Sequence, residues 1–101
     1  MNARALRTIR ESTRFTRERD ELNPNVRRMD EILEGICWII VRDPEQGQQT
    51  AAEGIRAIPT THLPGAPALV LYYSWDDTYV DLQSIRYADP EAVADEGDEA
   101  D

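Results

Sequence analysis

The chain has 101 residues, 41% of them hydrophobic, and a formal net charge of −9, enough for one domain with a modest core that needs neither metals nor disulfides. Its longest apolar run, Ile36 to Val41, falls far short of the ~20 residues that cross a membrane, and MNARALRTIRESTR at the N-terminus lacks the apolar stretch of a secretory signal; no membrane partner and a cytoplasmic location are expected. One Cys and one His exclude an intrachain disulfide and a zinc site of the usual N/S type, although carboxylates could hold a hard cation.

The segment Leu6 to Phe15 sets Leu6, Ile9 and Phe15 among charged residues and reads as an edge strand. Thr16 is placed to cap a short helix that runs through Leu22. Asn23-Pro24 then fits the cap and first turn of a second helix, over about residues 24–42. Val26, Met29, Leu33, Ile36 and Ile40 recur at intervals of three and four, so they share one face, and Arg27, Arg28, Asp30, Glu31 and Glu34 lie off it. From Ile36 to Val41 the helix is apolar all round. Trp38, Ile39 and Val41 are therefore expected to be buried, and Cys37 to be buried and reduced. Asp43-Pro44 stops the helix, because the residue before proline avoids helical geometry.

Glu45 to Gly54 has the composition of a connection, Ile55 to Ile58 that of a short strand ended by Pro59, and TTHLPGAP that of a loop. Residues 69–85, LVLYYSWDDTYVDLQSI, read as a hairpin with Asp76 and Asp77 at its turn. That turn sets Trp75 opposite Thr78, Tyr73 opposite Val80 and Leu71 opposite Leu82. Alternation gives Leu69, Leu71, Tyr73, Trp75, Val80 and Leu82 to the helix-packed face. The other face carries Val70, Tyr72, Ser74, Tyr79, Asp81 and Gln83, with Ile85 at its end, and is the face left for function. A hydrogen bond between Asp81 and Tyr72 is expected across the strands.

Charge divides unevenly along the chain. Residues 1–42 hold nine Arg against seven acids, and residues 43–101 two Arg against thirteen. Seven of those acids fall in the last fifteen residues, which contain no base. Residues 1–88 thus form the folding unit, and 89–101 are an acidic tail with too little apolar content to fold alone. The tail is either a solvated extension or a mask for Arg4, Arg7, Arg10 and Arg14. All eleven basic residues are Arg, whose planar fork suits carboxylate or phosphate.

These elements predict an α+β fold: an N-terminal strand, then a helical hairpin with one long helix, packed on a three- or four-stranded, mainly antiparallel sheet that ends in a hairpin over residues 68–87. The order, with Asp43, Pro44 and Gly47 after the helix, Ile55-Arg56 at the middle strand, Leu71-Tyr72 and Asp76-Asp77 in the hairpin, and Ile85-Arg86-Tyr87 at its end, resembles the RelE/ParE superfamily of bacterial toxins from toxin–antitoxin modules. The resemblance covers about residues 6–88 and implies an antitoxin protein as controlling partner. It further implies either cleavage of messenger RNA on the ribosome or inhibition of DNA gyrase, with no cofactor and no metal; a homodimer is compatible with it. A member that has lost activity and serves as a protein-interaction module is the third reading.

By position, the resemblance assigns Arg56, Arg86 and Tyr87 to an RNA-cleaving site, promoting attack of the ribose 2′-hydroxyl and stabilising phosphate charge. His62, in the TTHLPGAP loop, could be delivered as a general base. Each has a plainer reading: Arg56 pairs with an acid across the sheet, His62 is an ordinary loop residue, and Asp76 and Asp77 serve the turn and not a cation. Alternation puts Arg86 on the core side and Tyr87 on the open side, so both serve one site only if the strand twists or bulges after Ile85.

Overall fold

The computed structural model describes residues 6–26, 28–60 and 68–88. His62, the acidic tail and Arg4 lie outside them. Two helices pack on a sheet of five strands in the order β1-β5-β4-β3-β2: β1 (Thr8–Glu11), α1 (Thr13–Leu22), α2 (Met29–Arg42), β2 (Gln48–Gln49), β3 (Arg56–Pro59), β4 (Leu69–Trp75) and β5 (Tyr79–Tyr87). The fold is α+β, with an N-terminal strand and a terminal hairpin as expected. The sheet is larger than expected, because the polar stretch after α2 supplies Gln48 and Gln49 as a two-residue strand on β3. It is mixed, because β1 joins β5 in parallel while every other pairing is antiparallel.

Helix α1 begins at Thr13, three residues before the expected cap. The Ser12 hydroxyl accepts the Phe15 N–H at 3.0 Å and so satisfies a first-turn donor. Phe15 belongs to this helix and is fully buried. Asn23-Pro24 does not open α2. It forms a single 3₁₀ turn, Asn23–Asn25; Val26 is then extended, and Arg28 takes a left-handed φ of 63° as the cap of α2. The second helix therefore spans Met29–Arg42 and not 24–42, although Val26 still plugs the core at 3% exposure.

The buried stripe of α2 is Met29, Ile32, Ile36 and Ile40, with Val41 beside it and Leu33 half-buried. Trp38 and Ile39, expected inside, are instead 55% and 36% exposed. Each residue turns a helix by about 100°, so Trp38 points away from Ile36, and no described element covers that side. Asp43 ends the helix, as Asp43-Pro44 requires.

The hairpin is shifted by two residues from the expected register. Trp75 faces Val80, Ser74 faces Asp81 and Tyr73 faces Leu82. The cause is Asp76, whose carboxylate accepts the N–H groups of Thr78 and Tyr79 at 2.8 and 2.7 Å. That role places Asp76 before the turn and leaves Asp77 and Thr78 at its tip. A shift of two preserves side-chain parity. Leu69, Leu71, Tyr73, Val80 and Leu82 are accordingly all buried, with Trp75 packed partly against them.

Parity then breaks further along β5. Tyr73 faces Leu82 but Tyr72 faces Ser84, so Gln83 is an extra residue, a β-bulge. The bulge precedes Ile85 and inverts everything after it. Ile85 faces Leu71 and is 1% exposed, so it is core and not the end of the open face. Arg86 faces Val70 on the open side, and Tyr87 faces Leu69 on the helix side, the reverse of the alternation expected from the sequence.

Strand β1 stops at Glu11, and Ser12 and helix α1 seal the edge of β5 beyond it. The Ser12 N–H donates to the Leu82 carbonyl and its hydroxyl to the Gln83 carbonyl. Further along α1, the Glu18 carboxylate accepts the Ser84 hydroxyl at 2.6 Å and the Ile85 N–H at 3.0 Å. A helix side chain here does the work of a strand partner. No described helix is long and apolar enough to cross a membrane.

Candidate functional site

Because both helices lie on one face, the other face of the sheet is left to polar and aromatic side chains. Along β5 and β1 it begins with Arg10, which binds Asp81 through two contacts of 2.7 and 3.2 Å and lies 3.7 Å over the centre of the Tyr79 ring. Asp81 is thus paired with Arg10 and not with Tyr72, because β1 brings a guanidinium into register with it. This pair holds the Arg10 pKa up further, the bond to Asp81 being the larger cause. Next along the face, the Gln83 amide donates to the Ser74 hydroxyl at 3.0 Å. Arg86 follows, its guanidinium 5.4 Å over the Tyr72 ring. Two Arg-on-Tyr stacks therefore stand on one open surface. Stacking of this kind contributes about 0.5–1 kcal/mol at exposed sites. The Arg10 fork is taken up by Asp81, whereas among the described residues no acid pairs with the Arg86 fork, whose shape suits a planar anion.

Arg56 is elsewhere. It faces Tyr73 across β3 and β4, on the helix side. Its guanidinium donates to the Gly47 carbonyl at 2.8 Å and to the Glu45 carbonyl at 3.4 Å, with the Trp75 ring 5.3 Å away. It neither reaches the open face nor pairs with an acid across the sheet. Instead it ties down the turn that follows α2. Tyr73 serves the same turn: its phenol accepts the Gly47 N–H and donates to the Pro44 carbonyl.

Of the four residues singled out from the sequence, Arg86 and Tyr87 are chain neighbours whose side chains leave opposite faces of β5. Arg56 and Arg86 lie two strands apart and three residues apart along β4, also on opposite faces. That is roughly 10 Å in each direction, from spacings of about 4.8 Å between strands and 3.3 Å per residue. Tyr87 is 43% exposed, and both it and Arg86 still border one cleft, which they share with Arg14, Glu18 and Leu22 of α1. Arg10 and Tyr79 form a stacked pair that no motif in the sequence marks. The parallel docking of β1 on β5 creates it, and only residue alternation within each strand hinted at it.

A second surface feature lies between α2 and the free side of β1: an apolar depression of about 550 Å³ lined by Ile9, Gly35, Cys37, Trp38 and Val41, with Glu31 and Glu34 at its rim. Cys37 is half-buried, and burial pushes its thiol pKa up to about 11, which keeps it protonated and unreactive. Among the described residues no group of His, Cys, Asp or Glu is arranged to hold a metal ion, and the Asp76 carboxylate is occupied by its turn.

Comparison with known proteins adds no identity. No family model, no curated protein and no solved structure matches the chain.

Proposed function

We propose that this chain is a toxin-like component of a type II toxin–antitoxin module, cytoplasmic, held in check by an antitoxin protein and inhibiting translation or DNA gyrase when released. The observation that carries this reading is the sheet face that no described element covers, where Arg10 stacks over Tyr79 and Arg86 over Tyr72 on one surface. Among the described residues Arg86 has no acidic partner, whereas Arg10 is bound to Asp81. An acidic segment of a partner protein is the complementary occupant, since carboxylates meet guanidinium forks through paired, charge-assisted bonds.

Binding is favoured over RNA cleavage by the same geometry. A cleavage site built from Arg56, Arg86 and Tyr87 needs them convergent, and Arg56 lies on the helix side of the sheet with its Nη1 donating to the backbone of a turn.

The test is growth after the protein is induced alone in a bacterial host, with Arg86→Ala beside it. Arrest that the substitution relieves, at equal soluble protein level, is the expected result. Unimpaired growth with folded wild-type protein would move the reading to an inactive, partner-binding member of such a system.

A further inference from the structure

We propose that β1 is a homodimer interface, at which two copies of the chain join edge to edge across a two-fold axis at Ile9. The proposal goes beyond the toxin reading and does not depend on it. It starts from the ladder. In the parallel pair with β5, Thr8 donates to the Thr78 carbonyl and Ser12 to the Leu82 carbonyl, so the even-numbered residues of β1 face β5. Alternation turns the N–H and C=O groups of Arg7, Ile9 and Glu11 to the free edge. No described residue pairs with these groups, and an unpaired row of this kind is a template for another strand. At the far side of the sheet β2 offers only two residues, so β1 is the longer edge.

Self-complementarity selects the second copy as occupant. A two-fold antiparallel pairing of β1 with itself can centre on Thr8, Ile9 or Arg10. Centred on Arg10, it sets two guanidiniums against each other. Centred on Thr8, it sets Ile9 against Arg7. Centred on Ile9, it places Ile9 opposite Ile9, Arg7 opposite Glu11 of the second copy, and Thr8 opposite Arg10. Glu11 is bound to Arg19 and Thr16, and Arg7 to the Asp76 carbonyl, within each copy. This register is therefore selected by the absence of facing like charges and by the Ile9 pair, not by a new ion pair. The outward backbone groups of Ile9 make that central pair the kind that exchanges both N–H···O bonds. This contact is isologous, as a two-fold interface must be.

The side chains agree with the backbone. Ile9 is half-buried on the helix side and opens onto the depression that holds Trp38, which is 55% exposed. Joining two edges at Ile9 brings two such depressions side by side and covers apolar surface that α2 otherwise leaves to water.

Size-exclusion chromatography with light scattering on the full chain, from micromolar to millimolar concentration, should give a mass near twice the 11.5 kDa of one chain. Ile9→Lys and Ile9→Glu should each shift the protein to monomer, weakening association by at least about tenfold through like charges on the axis. Mixed together, the two variants should recover the dimer, because the introduced lysine then faces the introduced glutamate. Hydrogen exchange on the wild type reads the contact without any substitution: amides of residues 7–11 should gain protection as concentration rises. A wild-type monomer throughout that range would overturn the proposal and leave the edge to a strand of a different protein. A dimer that survives both substitutions, or one without added protection at residues 7–11, would overturn it equally.

Discussion

Tyr73 and Gly47 are locked together: the Gly47 N–H donates to the Tyr73 phenol at 3.0 Å, and the phenol donates to the Pro44 carbonyl at 2.6 Å. Twenty-six residues of chain separate the partners, and the bond is what seats the turn after α2 on the sheet. A Cβ on Gly47 would stand 2.6 Å from that phenol oxygen and 3.0 Å from the Ala57 carbonyl, so the contact allows no side chain. Gly47→Ala should cost about 1–3 kcal/mol by overpacking. Tyr73→Phe should cost about 1–3 kcal/mol by leaving buried Gly47 and Pro44 groups unmatched. Urea denaturation of the two variants measures both; equal stability to wild type would show that the turn is not held here.

Glu18 should couple folding to acid. Burial alone would raise its pKa, but hydrogen bonds from the Ser84 hydroxyl, the Ile85 N–H and Arg14 outweigh that and leave it lowered. A lowered folded value means that the ionised form stabilises the fold. That stabilisation is present above the ordinary glutamate value of 4.5 and is lost as pH falls through the folded value below it. Glu18→Ala should cost about 1–2 kcal/mol at neutral pH, because two β5 donors lose their acceptor. Its stability should also change less than that of wild type as pH falls below 4.5. Thermal melts across pH test both statements.

Arg56 and Arg86 should separate a structural role from a surface one. Arg56→Ala removes the clamp on Gly47 and the stack on Trp75 and should destabilise by about 1–2 kcal/mol. Arg86→Ala lies on the open face and removes only the stack on Tyr72, so it should cost no more than about 0.5–1 kcal/mol. Paired denaturation curves decide it, and a reversed order would sink the assignment of Arg56 to the fold.

Cys37 should resist alkylation. With its thiol pKa pushed up to about 11 by burial, it should react with iodoacetamide at mildly alkaline pH roughly a hundredfold more slowly than an ordinary thiol. Mass spectrometry of timed samples of folded and urea-unfolded protein gives the ratio. Equal rates would mean that the groove leaves the sulfur open.

The chemistry of the site was only partly legible in the residues. Alternation correctly set Tyr72, Ser74, Tyr79 and Gln83 on one face of the hairpin, because a register error of two residues leaves parity intact. The same rule misplaced Ile85, Arg86 and Tyr87. One bulged residue at Gln83 reverses every side chain after it, and no local signal in DLQSI announces a bulge. Arg56 looked free because a sequence does not show that a turn eleven residues earlier will fold back onto its guanidinium.

Local and periodic features were legible from the residues alone. The stripe at Met29, Ile36 and Ile40, the stop at Asp43-Pro44, the alternation of LVLYYSW and the α+β order all come from spacing and backbone preference within a few residues. Tertiary packing decided the parallel seat of β1 on β5, the pairing of Arg10 with Asp81, the closure of the β5 edge by Glu18 and the exposure of Trp38. Each of these joins segments far apart in the chain or depends on where a neighbour is missing. Burial and pairing across such distances are set by how elements pack, and the local pattern of a segment carries no record of what will lie against it.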